Sequence, residues 1–417
     1  MYIERMIEKT IEKAGKSFPC VVVYGPRQVG KSTTIDHLYG SKFKKVTLDD
    51  VDDRLLADKN PKQFLENYGW PLIIDEIQKV PLLLDEIKKR IDEMKLKWLK
   101  NDEPIQLMYV LTGSNRFELQ QGISDSMAGR CGIVEMSSFS DFEKLKIKET
   151  KFSPKISDWK KIENSKQVAY RTRTEIYDSI FQGGMPEIVK GEVERDVYFK
   201  AYVNTYIDKD VRKLVTASNE LQFRDFITII ALRTAQELHY DEIAALVGID
   251  ARTCKRWISI LETSGIIYLL HPYMANASKR IIKAPKLYFM DTGLCAYLCK
   301  IPNAEMLSNS VMCGAFFETH VVSEIVKNLF AYDLDPRDYL FYYRDTDKKE
   351  IDLLYIENGS ITPIEIKSGV FPSNPAKNFS VLSKYKIPIA TGLVFACTDK
   401  IRPINDISYF IPAYLLS

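Results

Sequence analysis

The eight residues GPRQVGKS, Gly25 to Ser32, constrain this chain more than any other stretch. They match the spacing Gly-x-x-x-x-Gly-Lys-(Ser/Thr). In that pattern the glycines let successive backbone N–H groups turn toward a phosphate, the lysine neutralises it, and the hydroxyl is placed for a divalent cation. The context suits the geometry: Val21, Val22 and Val23 form an apolar, β-branched run before the loop, and Thr33, Thr34, Ile35 and Leu38 follow as a helix. Strand, loop and helix together predict an α/β domain with a parallel sheet. ATP would be held by Gly25, Pro26, Arg27, Gln28, Val29, Gly30, Lys31, Ser32 and Thr33.

Such a loop needs an acidic pair at the end of a neighbouring buried strand. WPLIIDEIQKVP supplies one, with Leu72, Ile73 and Ile74 running into Asp75 and Glu76. Asp75 is expected to hold Mg²⁺ together with Ser32, and Glu76 to polarise the attacking water. A third apolar run, Leu107 to Leu111, turns polar at Thr112, Gly113, Ser114 and Asn115. Ligand groups sit at the carboxyl ends of strands in such sheets, so Ser114 and Asn115 are candidates for contact with the γ-phosphate or the water. Arg130 follows a glycine and precedes a further strand, Ile133 to Met136. Its guanidinium is a candidate for stabilising transition-state charge, in cis or from a neighbouring subunit of a homo-oligomer; the alternative is a surface loop residue.

The set GPRQVGKST, LIIDEIQ, LTGSN and AGR resembles the ATPase domain of the bacterial and archaeal AAA-type ATPases that carry a C-terminal DUF4143 domain. The resemblance continues through FQGGMPE (181–187), YVNTYIDKDV (202–211), PKLYFMDTGL (285–294) and GAFFETHVVSEI (314–325), and so covers nearly the whole chain. It implies a P-loop NTPase core in residues 1–142 that uses ATP and Mg²⁺. It also makes residues 169–220, whose helices break at Gly183, Gly184 and Pro186, a helical lid that moves with the nucleotide state.

Residues 143–168 between them are poor in apolar side chains and hold eight lysines, from Lys144 to Lys166, which reads as a linker or solvated insertion. Residues 221–285 read as a winged helix. Ile243, Leu246 and Val247 would form one helix face, Gly248 the turn, and Asp250 the N-cap of a second helix with Cys254, Trp257, Ile258 and Leu261 as its apolar stripe; a strand, Ile266 to Leu270, follows. Arg252, Thr253, Lys255 and Arg256 are left on the other faces as candidates to meet DNA. A protein-docking wing is the alternative.

Residues 286–417 are expected to form a restriction-endonuclease-like α/β domain. Glu318 lies on an amphipathic helix, and three strands follow near Leu340–Tyr343, Glu350–Ile356 and Ile361–Lys367. Asp352 sits on one strand, and Glu365 and Lys367 share a face of the next. This set resembles the PD-(D/E)xK nuclease core, which implies Asp352 and Glu365 as Mg²⁺ ligands, Glu318 as an outer partner and Lys367 as the catalytic cation. Ile364 and Ile366 are expected to face the core and Glu365 and Lys367 to face out; strand-edge charges with no catalytic role are the alternative.

Composition bounds the partners. With 58 Lys and Arg against 56 Asp and Glu, the net charge is only +2, so DNA binding would rest on a local basic patch. No apolar run approaches the roughly 20 residues of a membrane span, and the charged N-terminus lacks a signal-peptide core. Seven scattered cysteines with no CxxC pair read as reduced thiols of a cytoplasmic protein. Cys295 and Cys299 share a helix face but have no histidine nearby, so they read as packing.

Overall fold

The computed structural model describes residues 2–114, 127–148, 150–165, 167–206, 220–274 and 284–416. The chain forms two compact units. The first is Met1–Ser138 with Thr263–Gly265 and Phe330–Asp333; the second is Phe139–Glu262, Ile266–Leu329 and Leu334–Ser417.

In the first unit, helix α1 (Glu8–Ser17) leads into β1 (Cys20–Tyr24), α2 (Lys31–Tyr39), β2 (Lys44–Thr47), α3 (Val51–Lys59) and α4 (Pro61–Tyr68). β3 (Leu72–Asp75), α5 (Leu83–Asn101), β4 (Tyr109–Gly113) and β5 (Cys131–Glu135) complete it. The strands lie in the order β2-β3-β4-β1-β5, each parallel to its neighbours. A parallel sheet is covered on both faces, so its strands read as continuous apolar runs rather than alternating ones. β1 obeys this, being buried from Cys20 to Tyr24. α5 presents Leu83, Leu84, Ile87, Ile91 and Trp98 at helical spacing to the same core as Val22, Ile74, Leu111 and Phe64. Because all five strands point one way, everything that follows β1, β3 and β4 gathers at one edge.

The second unit begins with α6 (Asp141–Leu145), α7 (Ile156–Asn164), α8 (Arg173–Gln182), α9 (Pro186–Val189) and α10 (Arg195–Tyr206). Next come α11 (Glu220–Leu232), β6 (Gln236–Glu237), α12 (Tyr240–Val247), α13 (Ala251–Thr263), β7 (Ile267–Leu270) and β8 (Lys286–Phe289), whose strands form a small antiparallel sheet ordered β6-β8-β7. Helices α14 (Thr292–Leu298), α15 (Ala304–Asn309), α16 (Cys313–Ala331) and α17 (Pro336–Tyr339) precede β9 (Leu340–Arg344), β10 (Glu350–Glu357), β11 (Ser360–Lys367), β12 (Gly392–Ala396), β13 (Arg402–Asn405) and β14 (Ser408–Pro412). These last strands form a mixed sheet ordered β13-β14-β12-β11-β10-β9.

Three expectations are corrected. Residues 143–168 are no solvated linker: Phe152 and Trp159 are buried, Phe152 packs on Tyr355 and Trp159 on Phe395, and the Asn328 side chain accepts from the Phe152 N–H at 2.7 Å. The lysines sit around two aromatic anchors seven residues apart. Leu246 does not share the buried face of Ile243 and Val247, being 61% exposed on α12. Glu365 does not face out; both faces of β11 are covered, and Glu365 is as buried as Ile364 and Ile366.

Candidate functional site

The loop Gly25–Ser32 emerges from the carboxyl end of β1 and is shaped by two glycines. A Cβ on Gly25 would fall 2.0 Å from the Met136 carbonyl oxygen, and Gly30 holds φ 94° and ψ 20° where α2 begins. Lys31 is 6% exposed and its Nζ donates to the carbonyls of Gly25 at 2.9 Å and Pro26 at 2.6 Å, curled over its own loop. Arg5 braces the loop from the N-terminal segment, its guanidinium donating to the carbonyls of Val29 at 2.8 Å and Ser137 at 2.7 Å.

The acidic pair arrives from β3. Ser32 Oγ donates to the Asp75 carboxylate at 3.0 and 3.1 Å, and Thr112 Oγ1 on β4 donates to the same group. Glu76 follows with φ 59°, outside the strand. Its carboxylate accepts from Gln78 Nε2 and, at 3.2 Å, from Ser114 Oγ. Ser32, Asp75, Glu76 and Ser114 thus converge at one sheet edge, while Asn115 lies outside the described residues. A hydroxyl beside a carboxylate at the mouth of a glycine-shaped loop is an oxygen donor set that fits Mg²⁺ bound with a nucleotide phosphate.

Arg130 is elsewhere. β5 runs parallel to β1 with Cys131 opposite Cys20 and Glu135 opposite Tyr24. Arg130 therefore precedes the amino end of the sheet, about 17 Å from the loop at roughly 3.3 Å per residue. Its guanidinium is paired with Asp92 at 2.7 and 2.9 Å. In this structure Arg130 therefore stands away from the Gly25–Ser32 loop.

On α13, Arg252, Lys255 and Arg256 are exposed, whereas Thr253 is tied to the Asp250 cap by its N–H at 2.9 Å and its hydroxyl at 2.6 Å. Cys254, Trp257, Ile258 and Leu261 are buried, as their spacing implied.

The C-terminal candidates do meet. Lys367 Nζ lies 3.0 Å from Asp352 Oδ2 and 2.6 Å from Glu365 Oε2, so both carboxylates touch one ammonium. The Ile366 N–H also donates to Asp352 Oδ2 at 2.8 Å. Burial, and then the neighbouring Asp352 charge, push Glu365 up to about 9. Burial would raise Asp352 too, but Lys367 and Lys286 outweigh it and hold Asp352 below its usual range. Glu318 is reached by two residues whose sequence surroundings signal no role: Lys286 Nζ at 3.0 Å and the Tyr288 hydroxyl at 2.7 Å, both from β8. Lys286 also contacts Glu350 at 2.5 Å.

A second buried cluster joins α6 to α16. Among the described residues, Asp141, His320 and Glu324 have ligand-type atoms within 4.8 Å of one another. Lys144 and Arg171 pair with Asp141, and Lys327 with Glu324 at 2.8 Å. Three cations against two carboxylates make an ion-pair network, not a cation site.

No helix among the described residues is long and apolar enough to cross a membrane. Residues 17–145 match the family model of an AAA domain, residues 173–305 a domain of unknown function (DUF8612), and residues 313–416 a domain of unknown function (DUF4143). Uncharacterized proteins of Mycobacterium tuberculosis and Mycobacterium bovis are 26% identical over 419 residues, covering 99% of this chain and 84% of theirs. Among solved structures, a Walker-type ATPase of Pyrococcus abyssi is 13% identical with a TM-score of 0.38, covering 71% of this chain and 96% of its own. A RuvB mutant of Thermotoga maritima is 17% identical with a TM-score of 0.31, covering 67% and 92%. Residues 17–145 are thus an AAA domain, whose glycine-shaped loop and Asp75–Glu76 pair at the end of β3 lie at one sheet edge, and residues 313–416 are a C-terminal DUF4143 domain.

Proposed function

We propose that the N-terminal unit binds ATP with Mg²⁺ and hydrolyses it, and that the nucleotide state governs how the second unit meets DNA. The observation that carries the reading is the convergence of the Gly25–Ser32 loop, Asp75 and Glu76 at one sheet edge, with Ser32 Oγ 3.0 Å from the Asp75 carboxylate. Lys31 and the loop N–H groups bind the phosphates, and Ser32 and Asp75 hold Mg²⁺, which supplies charge neutralisation at the transferring phosphoryl. Glu76 polarises the attacking water, oriented by Gln78 and Ser114. Arg130, at the far edge of its own sheet, serves catalysis only from a neighbouring subunit, so the proposal carries a homo-oligomer with it. Steady-state ATP turnover with and without Mg²⁺ tests the reading; a pure, folded chain that releases no phosphate sinks it.

The order α11, β6, α12, α13, β7, β8 is helix, strand, two helices, two strands, which is that of a winged helix. Arg252, Lys255 and Arg256 on α13 are its outward cations, disposed for DNA phosphates. Replacing Lys255 and Arg256 with alanine should weaken DNA binding and reduce the slope of log affinity against log salt by about one for each phosphate no longer neutralised. Fluorescence anisotropy across a salt series reads this directly. An unchanged slope in the folded double variant favours a protein partner instead. That second reading, a regulatory ATP-binding scaffold whose tail recognises a protein without cleaving, draws support from one further observation: Lys286 stands among the tail's carboxylates.

A further inference from the structure

The nuclease-like set implies a divalent ion, and the residues present do not fit one. Four carboxyl groups, Glu318, Glu350, Asp352 and Glu365, are each in direct contact with a lysine ammonium. Lys286 touches Glu318 and Glu350 at 3.0 and 2.5 Å, and Lys367 touches Asp352 and Glu365 at 3.0 and 2.6 Å. The space between Asp352 and Glu365, where a shared ion would sit at about 2.1 Å from each oxygen, holds the Lys367 ammonium. In a nuclease of this type one lysine beside the carboxylates is expected; the second, Lys286, comes from β8 of the small sheet. It is 3% exposed. Burial disfavours its charge, yet Glu318, Asp352 and Glu350 together hold its pKa well above the ordinary lysine value. Arg344 Nη1 adds a further positive charge 3.8 Å from Glu350. A Mg²⁺ placed here would face these cations at close range, in a poorly screened interior where like charges repel strongly.

We infer that Lys286, on Glu318 and Glu350, completes with Lys367, on Asp352 and Glu365, a resident pair of cations that stands in for the divalent ion of the C-terminal carboxylate cluster, so that the tail keeps a nuclease-like arrangement without cleaving a phosphodiester. The cluster then fastens β8 to α16 and β10 through Glu318 and Glu350. The inference rests on the proposed nuclease-like reading of the tail and not on ATP turnover. An electrostatic latch of this kind binds strongly only while it is complete: removing the lysine leaves buried carboxylates uncompensated, which then accept a metal ion.

The test uses the full chain without nucleotide, titrated with Mn²⁺ and followed by the electron paramagnetic resonance signal of the free ion. Wild type and Asp352→Asn should bind Mn²⁺ identically, with no site that depends on Asp352. Lys286→Met should bind one additional Mn²⁺ per chain, lost again in Lys286→Met/Asp352→Asn, and its lowered Tm should rise on adding Mn²⁺. Lys286→Arg should fold and resemble wild type. Should Lys286→Met fail to fold while Lys286→Arg folds, the requirement for a cation at this position is met and the inference stands. One Mn²⁺ per wild-type chain, released by Asp352→Asn, overturns it. So does a Lys286→Met chain with unchanged Tm and no added Mn²⁺, or Mg²⁺- or Mn²⁺-dependent cleavage of DNA or RNA by wild type that Asp352→Asn abolishes. ATP turnover measured on the same samples reports on the nucleotide reading separately.

Discussion

Glu76→Gln is expected to cut ATP turnover by roughly 10²–10⁴-fold while leaving nucleotide binding in place, because it removes the group proposed to polarise water and keeps the side-chain shape. Lys31→Ala should fail one step earlier. Its ammonium is the charge that the loop pattern sends to the phosphates, and a hydrogen bond to a charged group contributes about 1.5–3 kcal/mol, or roughly 10- to 150-fold in affinity. A titration with a fluorescent ATP analogue beside a steady-state phosphate-release assay separates the two. Weak binding is expected in Lys31→Ala, and near-normal binding without turnover in Glu76→Gln. The hydrogen bonds sharpen the second expectation. Glu76 accepts from Gln78 and from Ser114, so the carboxylate is already oriented at the sheet edge. Glutamine at 76 can keep those partners by presenting its carbonyl oxygen, yet it cannot take up a proton. Full turnover in Glu76→Gln would remove Glu76 from the mechanism and leave Asp75 as the sole acid of the pair.

The nucleotide end of the molecule was legible because its signals are local. Val21 to Val23, the loop and α2 are contiguous, and the strand ending in Asp75 shows itself as an unbroken apolar run. Strand ends shifted by a residue or two, as with β4 at Tyr109–Gly113 against an apolar run from Leu107. What failed to show was anything that depends on two distant segments meeting. Lys286, Glu318 and Glu350 are separated by more than thirty residues in sequence, and no spacing rule joins a lysine on one strand to carboxylates on a helix and another sheet. Arg5 is similar: a lone arginine in a charged N-terminal segment carries no sign that it will donate to Val29 and Ser137. Alternation misled at Glu365, because period-two reasoning assumes one wet face and β11 has none. Lysine count misled over 143–168 by outweighing Phe152 and Trp159, the two residues that decide whether the segment packs.

Asp141→Ala should be among the most destabilising single changes in the chain, at about 3–5 kcal/mol, because it breaks a buried pair and leaves two cations without their shared partner. Asp141 is 1% exposed at the start of α6. It is paired with Lys144, bonded by Arg171 Nη1 at 2.8 Å and by Ser179 Oγ at 2.7 Å, and it lies 3.9 Å from His320 Nε2. Burial alone would raise its pKa; Lys144, His320 and Arg171 outweigh burial and hold the carboxyl well below the usual range. Asp141→Asn keeps the volume and removes the charge, so it isolates the electrostatic part. The folded pKa lies below the unfolded value of about 3.9, and the stabilisation is therefore fully present above pH 4 and lost as pH falls toward the folded value. Urea unfolding of wild type and Asp141→Asn should show a wide gap at pH 7 that narrows steadily between about pH 4 and pH 2.5. His320 gives a second readout. Burial already lowers its pKa and Asp141 opposes that, so loss of the carboxylate should drive the imidazole lower still, a change followed by the His320 ring resonances across the titration. A gap as wide at the acid end of the series as at neutral pH would mean that Asp141 contributes by its shape and hydrogen bonds rather than by its charge.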